Sequence, residues 1–246
     1  MLNIDEDTWT ISEDENLIHK EADKDHIPFI DMREKMRSAG LDWYRSYYKY
    51  DHHWKTETGL WAAGVIATEL NKSYGFNYDM KYFLPESYQM ETYDDIFFGG
   101  QAREVGDTTV KPESYTKILP KFNTKFEFVV PTRSIRKNGK YEETLFDSEQ
   151  FDKTLLYTEK DYKTKPDAYH SVGWRNDAIG VIKNLGTYNN SKRILFIQDS
   201  FAWYLTTYMA TDTKEIHLMY PSGFTGSIRS YIEKHNPDLV IVIFCE

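Results

Sequence analysis

Strands and helices alternate through the C-terminal part of the chain, and this alternation constrains the fold most. Apolar runs predict strands at 193–198, 215–219 and 238–244, with helices from about Phe201 and at about 224–235. Strands separated by helices pair in parallel, because each helix returns the chain to the end where the previous strand began. The pattern predicts an α/β domain on a parallel sheet flanked by helices.

The first of these strands stops at an Asp-Ser pair. Ile194 to Gln198 indicates a buried strand, Asp199 and Ser200 follow it directly, and helical sequence comes next. A hydroxyl at the carboxyl end of a strand lies where α/β folds place their chemistry. Ser200 is therefore a candidate nucleophile, and the free N–H groups of the next helical turn are candidate oxyanion donors. The alternative is that the pair only caps the helix.

A carboxylate and two imidazoles lie far upstream, in Asp51-His52-His53-Trp54. A serine hydroxyl needs a base to remove its proton, and the base needs a partner that fixes its tautomer. In an extended segment, side chains two residues apart share a face, so Asp51 can hold His53 while His52 points away. The pattern predicts Asp51, His53 and Ser200 as catalytic residues. A metal site on these side chains and His170 is less favoured, because adjacent histidines cannot easily share one ion.

The segment from about 78 to 153 has a different texture, with short aromatic and β-branched runs broken by Gly99-Gly100 and several prolines. It predicts a small antiparallel β insertion, in which Asn138-Gly139 indicates a two-residue hairpin turn. Residues 1–40 predict a loosely ordered acidic segment. We expect residues 1–246 to form a single domain.

Charge and hydropathy exclude some partners. Acidic residues number 39 against 30 basic ones, and the formal net charge of −9 argues against nucleic acid. No apolar stretch approaches the roughly 20 residues that cross a bilayer as a helix. The lone cysteine, Cys245, can form no internal disulfide.

The residues around Ser200 resemble one hydrolase superfamily and not another. No Gly-x-Ser-x-Gly elbow surrounds Ser200, which argues against an α/β-hydrolase. An Asp-Ser pair after a strand, with Pro237 to Val242 as a later parallel strand, resembles the flavodoxin-like SGNH hydrolases. In ordinary members the aspartate and histidine follow the serine, whereas here they precede it. This order resembles the circularly permuted branch that contains AlgJ- and AlgX-type alginate O-acetyltransferases and bacterial DHHW proteins.

Four motifs in order carry a resemblance to DHHW proteins from about Tyr47 onward: Tyr48 to Trp54, Phe97 to Gly106, Pro120 to Thr124 and Ile197 to Phe201. The triad implied by that family falls on Asp51, His53 and Ser200. The chain departs from the SGNH pattern at Gln198, where a glycine is usual, and lacks the Gly-x-Asn-Asp segment. The oxyanion and substrate contacts are therefore open, with four candidates: Gly100, Gln101, Arg103 and Asn176.

The resemblance implies transfer of an acetyl group to a hydroxyl of a cell-surface or secreted polysaccharide, or its removal, through an acyl-serine. It implies an extracytoplasmic or cell-envelope location and no cofactor or metal. A transferase would further need a membrane-bound acyltransferase as a partner. The alternative is a catalytically silent carbohydrate-binding or scaffold protein, because a fold alone does not establish activity.

Overall fold

The computed structural model describes residues 20–105, 110–172 and 178–243. It divides into two compact units, Met1–Gly40 and Leu41–Glu246. The α-helices that lie wholly within the described residues are α1 Met32–Ser38, α2 Trp43–Ser46, α3 Thr56–Ser73, α4 Gly100–Val105, α5 Tyr141–Thr144, α6 Ser148–Thr154, α7 Glu159–Thr164, α8 Ala202–Met209 and α9 Ile228–His235. The strands are β1 Tyr88–Phe97, β2 Glu113–Pro120, β3 Phe126–Val130, β4 Ile135–Gly139, β5 Ile179–Asn184, β6 Asn190–Gln198, β7 Thr213–Met219 and β8 Leu239–Ile243.

The first unit contains α1, which begins at a side-chain cap. Asp31 Oδ1 accepts hydrogen bonds from the N–H groups of Arg33 at 2.8 Å and Glu34 at 3.2 Å. These bonds satisfy two of the N–H groups that a helix start leaves unpaired. Part of the acidic segment predicted at 1–40 is therefore helical.

The second unit contains a six-stranded sheet in the order β4-β3-β5-β7-β6-β8. β6 pairs in parallel with both β7 and β8, as the strand–helix alternation predicts. β5 runs antiparallel to β7, and β3 is antiparallel to both β5 and β4. The sheet is therefore mixed, which corrects the expectation of a parallel sheet. Only strands joined through a helix keep the parallel direction.

β6 lies inside the sheet because its sequence suits burial on both faces. Ile194, Leu195 and Phe196 are fully buried. Continuous apolar runs of this kind are typical of parallel strands covered on both sides. Leu195 and Met219 of β7 pack against Tyr231 of α9 on one face. The strand thus delivers Asp199 and Ser200 to a fixed place at its carboxyl end.

The segment 78–153 has two parts. β1 and β2 form an antiparallel sheet of their own, whereas β3 and β4 extend the main sheet. The hairpin turn predicted at Asn138-Gly139 is wrong, because both residues lie in β4 and pair with β3. The chain turns instead over residues 131–134, where Ser134 takes a left-handed conformation with φ of 54°.

α8 is the buried helix that follows Ser200. All eight of its residues are buried, and it packs against α3. The contact is close at Gly59, where an added Cβ would lie 2.8 Å from Cβ of Tyr204. A helix that is buried on every side requires such cover all round. None of the helices in the described ranges is long and apolar enough to cross a membrane.

Candidate active site

Asp51 and His53 are joined inside a short bend. Residues 51–53 form this bend between Tyr47 and Trp54, which pair as an antiparallel bridge. Asp51 Oδ1 accepts a hydrogen bond from the His53 backbone N–H at 2.9 Å and lies 2.5 Å from His53 Nδ1. Asp51 and His53 contact each other as predicted. The contact is made by an Asx-type turn, however, and not by an extended segment.

His53 lies between Asp51 and Ser200. Its Nε2 is 2.6 Å from Ser200 Oγ, although the two residues are 147 positions apart in the chain. Asp51 and His53 are more than nine-tenths buried. His52 is directed outward, with 60% of its side chain exposed. The structure therefore brings together the three residues that the sequence predicts as catalytic.

Ser200 lies in a tight turn between β6 and α8. Asp199 Oδ1 accepts a hydrogen bond from the Phe201 N–H at 2.9 Å, and Asp199 O accepts one from Ala202 at 3.4 Å. The Trp203 N–H donates to Ser200 O at 3.3 Å. The N–H groups after Ser200 are therefore engaged, contrary to the expectation that this turn leaves them free. Within the described ranges, the N–H of Ser200 itself makes no hydrogen bond.

The second oxygen of Asp51 is held by the start of α4. The Gly100 N–H donates to Asp51 Oδ2 at 2.6 Å. Gly99 permits this approach, because a Cβ there would lie 2.5 Å from both Cβ of Asp51 and the carbonyl oxygen of Tyr50. The bend and the start of α4 thus pack backbone against backbone.

The contacts of Asp51 keep it charged despite its burial. Burial alone would raise the pKa of this carboxyl group. The hydrogen bonds from the His53 side chain and from the N–H groups of Gly100 and His53, with the charge of the imidazole, outweigh that effect and lower the pKa to about 2. A charged Asp51 can fix the proton on His53 Nδ1, which leaves Nε2 free to accept one from Ser200.

Aromatic rings surround the imidazole of His53. The ring of Tyr169 stacks on it at 4.4 Å between centroids, and the rings of Phe201 and Trp203 lie at 5.2 Å and 6.3 Å. These rings cover the imidazole, which is 9% exposed, and help to hold its orientation. Tyr169 has no signal in the sequence, because no local pattern shows that a residue 116 positions after His53 will contact it.

The four residues predicted as oxyanion or substrate contacts have different surroundings. The Gly100 N–H is engaged by Asp51 and cannot also serve an oxyanion. The Gln101 N–H donates to Tyr50 O at 3.2 Å, and Arg103 donates to Phe98 O and to Asp167. Asn176 lies outside the described residues.

Asp51, His52 and His53 also form a cluster of metal-ligand types. One ligand atom from each lies within 4.8 Å of the others. Asp51 Oδ1 and both ring nitrogens of His53 are already in hydrogen-bonding contact with each other or with Ser200. A metal ion would have to replace those contacts, so the donor set fits proton transfer better than coordination.

Comparisons with known proteins show which solved structures have a similar fold. Neither a protein-family model nor a curated protein matches the sequence. The structure is similar to that of Bacillus cereus PatB1 with a sulfonyl adduct, with a TM-score of 0.62 and 15% identity, over 86% of this chain and 64% of that one. It is also similar to a DHHW family protein from Eubacterium siraeum, with a TM-score of 0.56 and 14% identity, over 80% of this chain and 58% of that one.

These likenesses confirm the resemblance to DHHW proteins at the level of the fold. The chain spans less than two thirds of the length of each of the two solved proteins.

Proposed function

We propose that the chain is a serine acyltransferase or esterase that works through an acyl-serine. The carrying observation is the continuous contact from Ser200 Oγ through the two ring nitrogens of His53 to Asp51, at 2.6 Å and 2.5 Å. An unactivated hydroxyl is a poor nucleophile, and this arrangement supplies both the base and the group that orients it. A role in helix capping alone would not require His53 beside the hydroxyl.

The proposed reaction has two halves. Ser200 Oγ attacks the acyl carbonyl carbon while His53 Nε2 takes its proton, and His53 then protonates the leaving group as the bond to it breaks. In the second half a hydroxyl or water attacks the ester carbon and gives its proton to His53. Ser200 recovers that proton as the ester bond breaks. Asp51 stays ionised and stabilises the imidazolium in both halves.

The oxyanion donor nearest the nucleophile is the N–H of Ser200 itself. The N–H groups that follow it in the turn are engaged, whereas this one is unpaired within the described ranges. Backbone donors at the end of a strand stabilise a developing negative charge without a charged side chain. We place one donor there and leave Gln101 and Asn176 as candidates for the remainder, with Arg103 as a candidate for substrate contact.

Several features support acetyl transfer on polysaccharide as the form of this chemistry. The aspartate and histidine precede the serine, as in the circularly permuted SGNH branch that the motifs resemble. The fold is shared with a DHHW family protein and with PatB1, which has a structure with a sulfonyl adduct. Sulfonyl reagents react with activated serine hydroxyls, so that adduct is in keeping with a nucleophilic serine in the shared fold. The corresponding location is extracytoplasmic, and a transferase would receive acetyl from a membrane-bound acyltransferase.

The test uses p-nitrophenyl acetate as the acyl donor, with mass detection of acetyl on the protein. We expect a burst of p-nitrophenol and an acetyl group on Ser200, both lost in Ser200→Ala and reduced at least 100-fold in His53→Ala. Ser222→Ala, which removes an exposed hydroxyl, is the matched control and should keep the burst. A wild type that never acquires acetyl would contradict the proposal and favour the silent carbohydrate-binding alternative.

A further inference from the structure

A second pair of histidine and carboxylate lies in the same unit and outside the proposed triad. Asp167 Oδ1 is 2.7 Å from His170 Nδ1 and also accepts the His170 backbone N–H at 3.3 Å. Asp167 Oδ2 accepts a hydrogen bond from Arg103 Nη2 at 3.0 Å. The side chain of Asp167 is 6% exposed, so this carboxylate is buried and fully engaged. The arrangement fixes the imidazole of His170 as Asp51 fixes that of His53.

The second pair is tied to the first through shared neighbours. The ring of Trp203 lies 5.6 Å from that of His170 and 6.3 Å from that of His53. The turn at the start of α4 holds both carboxylates, because Gly100 donates to Asp51 and Arg103 donates to Asp167. His170 also follows Tyr169 directly in the chain, and the Tyr169 ring stacks on His53. His170 is therefore at the edge of the proposed active site.

The free nitrogen of His170 has the chemistry of a hydrogen-bond acceptor. The contact of Nδ1 with Asp167 favours the tautomer that has its proton on Nδ1 and its lone pair on Nε2. Within the described ranges Nε2 has no partner, and about a third of the side chain is exposed. Asp167 is already paired with Arg103, so the pair does not depend on a bound cation for charge balance. An oriented lone pair on a partly exposed ring, which shares the neighbour Trp203 with His53, suits a hydroxyl donor in the substrate.

We propose that His170 binds the acceptor of the acyl group by accepting a hydrogen bond from a second hydroxyl, next to the one that is acylated. The inference rests on the proposed function and adds a residue that positions the saccharide acceptor through one of its vicinal hydroxyls. The attacking hydroxyl gives its proton to His53 Nε2 as its oxygen bonds to the acyl carbon, and Ser200 Oγ leaves with the proton from His53. The neighbouring hydroxyl keeps its proton and is held at His170 Nε2.

The test measures how the acetyl-enzyme divides its acetyl group between an added alcohol and water. The purified chain is acetylated with p-nitrophenyl acetate in the presence of glycerol, which has vicinal hydroxyls, or 1-propanol, which has a single one. Products are quantified by mass spectrometry. His170→Phe keeps a ring against Trp203 and removes the acceptor nitrogen. We expect it to lower the ratio of glycerol ester to acetate about fivefold, as for loss of one hydrogen bond, and to leave the propanol ratio unchanged.

Two controls separate a substrate contact from a structural effect. His170→Gln restores an acceptor oxygen and should recover part of the glycerol ratio. His235→Gln changes a histidine on α9 whose ring contacts are with His217 and Tyr231, and should alter neither ratio. Equal ratios of glycerol ester to acetate in wild type and His170→Phe would overturn the inference. Acetate as the only product of both proteins would overturn it as well. An equal fall for both alcohols would overturn it too, because that result is structural. If wild type gives no p-nitrophenol burst, the result contradicts the proposed function itself.

Discussion

Asp51 shows how contacts decide the state of one buried residue. Its carboxylate accepts hydrogen bonds on both oxygens, from His53 and from Gly100. Without them, burial would favour the neutral acid, which could not stabilise a cationic imidazole. The same contacts that keep Asp51 ionised also fix its position and that of His53. At this residue, stability and the proposed chemistry therefore depend on the same bonds.

The lowered pKa of Asp51 predicts an acid-dependent stability. The folded state lowers the pKa of this carboxyl group from its ordinary value of 3.8, so the charged group stabilises the fold at pH values above 3.8. That stabilisation is lost as the pH falls through about 2. We expect wild type to exceed Asp51→Asn by about 2 kcal/mol in free energy of unfolding at neutral pH, and the difference to shrink between pH 4 and pH 2. Urea titrations at several pH values measure it.

The matched control for this prediction is Asp152→Asn, which removes an exposed carboxylate. The free energy of unfolding of Asp152→Asn should differ little from that of wild type, and the difference should stay nearly constant between pH 4 and pH 2. A wild type and Asp51→Asn that lose stability in parallel as the pH falls would contradict the account of the Asp51 contacts.

At the scale of elements, the start of α4 supports the Asp51 bend through two glycines with different surroundings. A Cβ on Gly99 would lie 2.5 Å from the backbone of Tyr50, a separation that real Cβ atoms do not show. A Cβ on Gly100 would meet Asp51 Oδ2 at 3.5 Å, which is an ordinary contact. Two adjacent positions therefore differ in what they tolerate.

We predict that Gly99→Ala destabilises the fold by about 1 to 3 kcal/mol, as overpacking does, and lowers the rate of the p-nitrophenol burst by displacing Asp51. Gly100→Ala keeps the N–H that Asp51 accepts and should stay near wild type in both measurements. Thermal unfolding and burst kinetics on the two variants test the difference. Equal effects at the two positions would show that the close packing at Gly99 does not govern the site.

The elements also show where sequence patterns fail. The C-terminal strands and helices are predictable within a few residues, because apolar runs and helical spacing are local properties. Asn138-Gly139 has the composition of a hairpin turn, yet it is paired along its length with β3. The register of β4 is decided by its partner strand, while Pro131 and the left-handed Ser134 make the turn. Turn chemistry gives a preference, and tertiary pairing overrides it.

Across the whole molecule, residue types and order in the chain predict the site better than they predict the sheet. The motifs mark Asp51, His53 and Ser200 because the proposed chemistry restricts those positions to few residue types. The antiparallel direction of β3, β4 and β5 has no such local signal. The pairing of Asp167 with Arg103 has no local signal for the same reason, since the two residues are 64 positions apart in the chain. Contacts of that range exist only once the fold has formed.

The central claim is that His53 activates the hydroxyl of Ser200, and its most direct test is the rate of sulfonylation by phenylmethanesulfonyl fluoride. Intact-mass kinetics and peptide mapping would follow the adduct in wild type, His53→Ala and His52→Ala. We predict a single adduct on Ser200 that forms at least 100-fold more slowly in His53→Ala and at a nearly unchanged rate in His52→Ala. Equal rates in wild type and His53→Ala, or an adduct on another residue, would contradict the account.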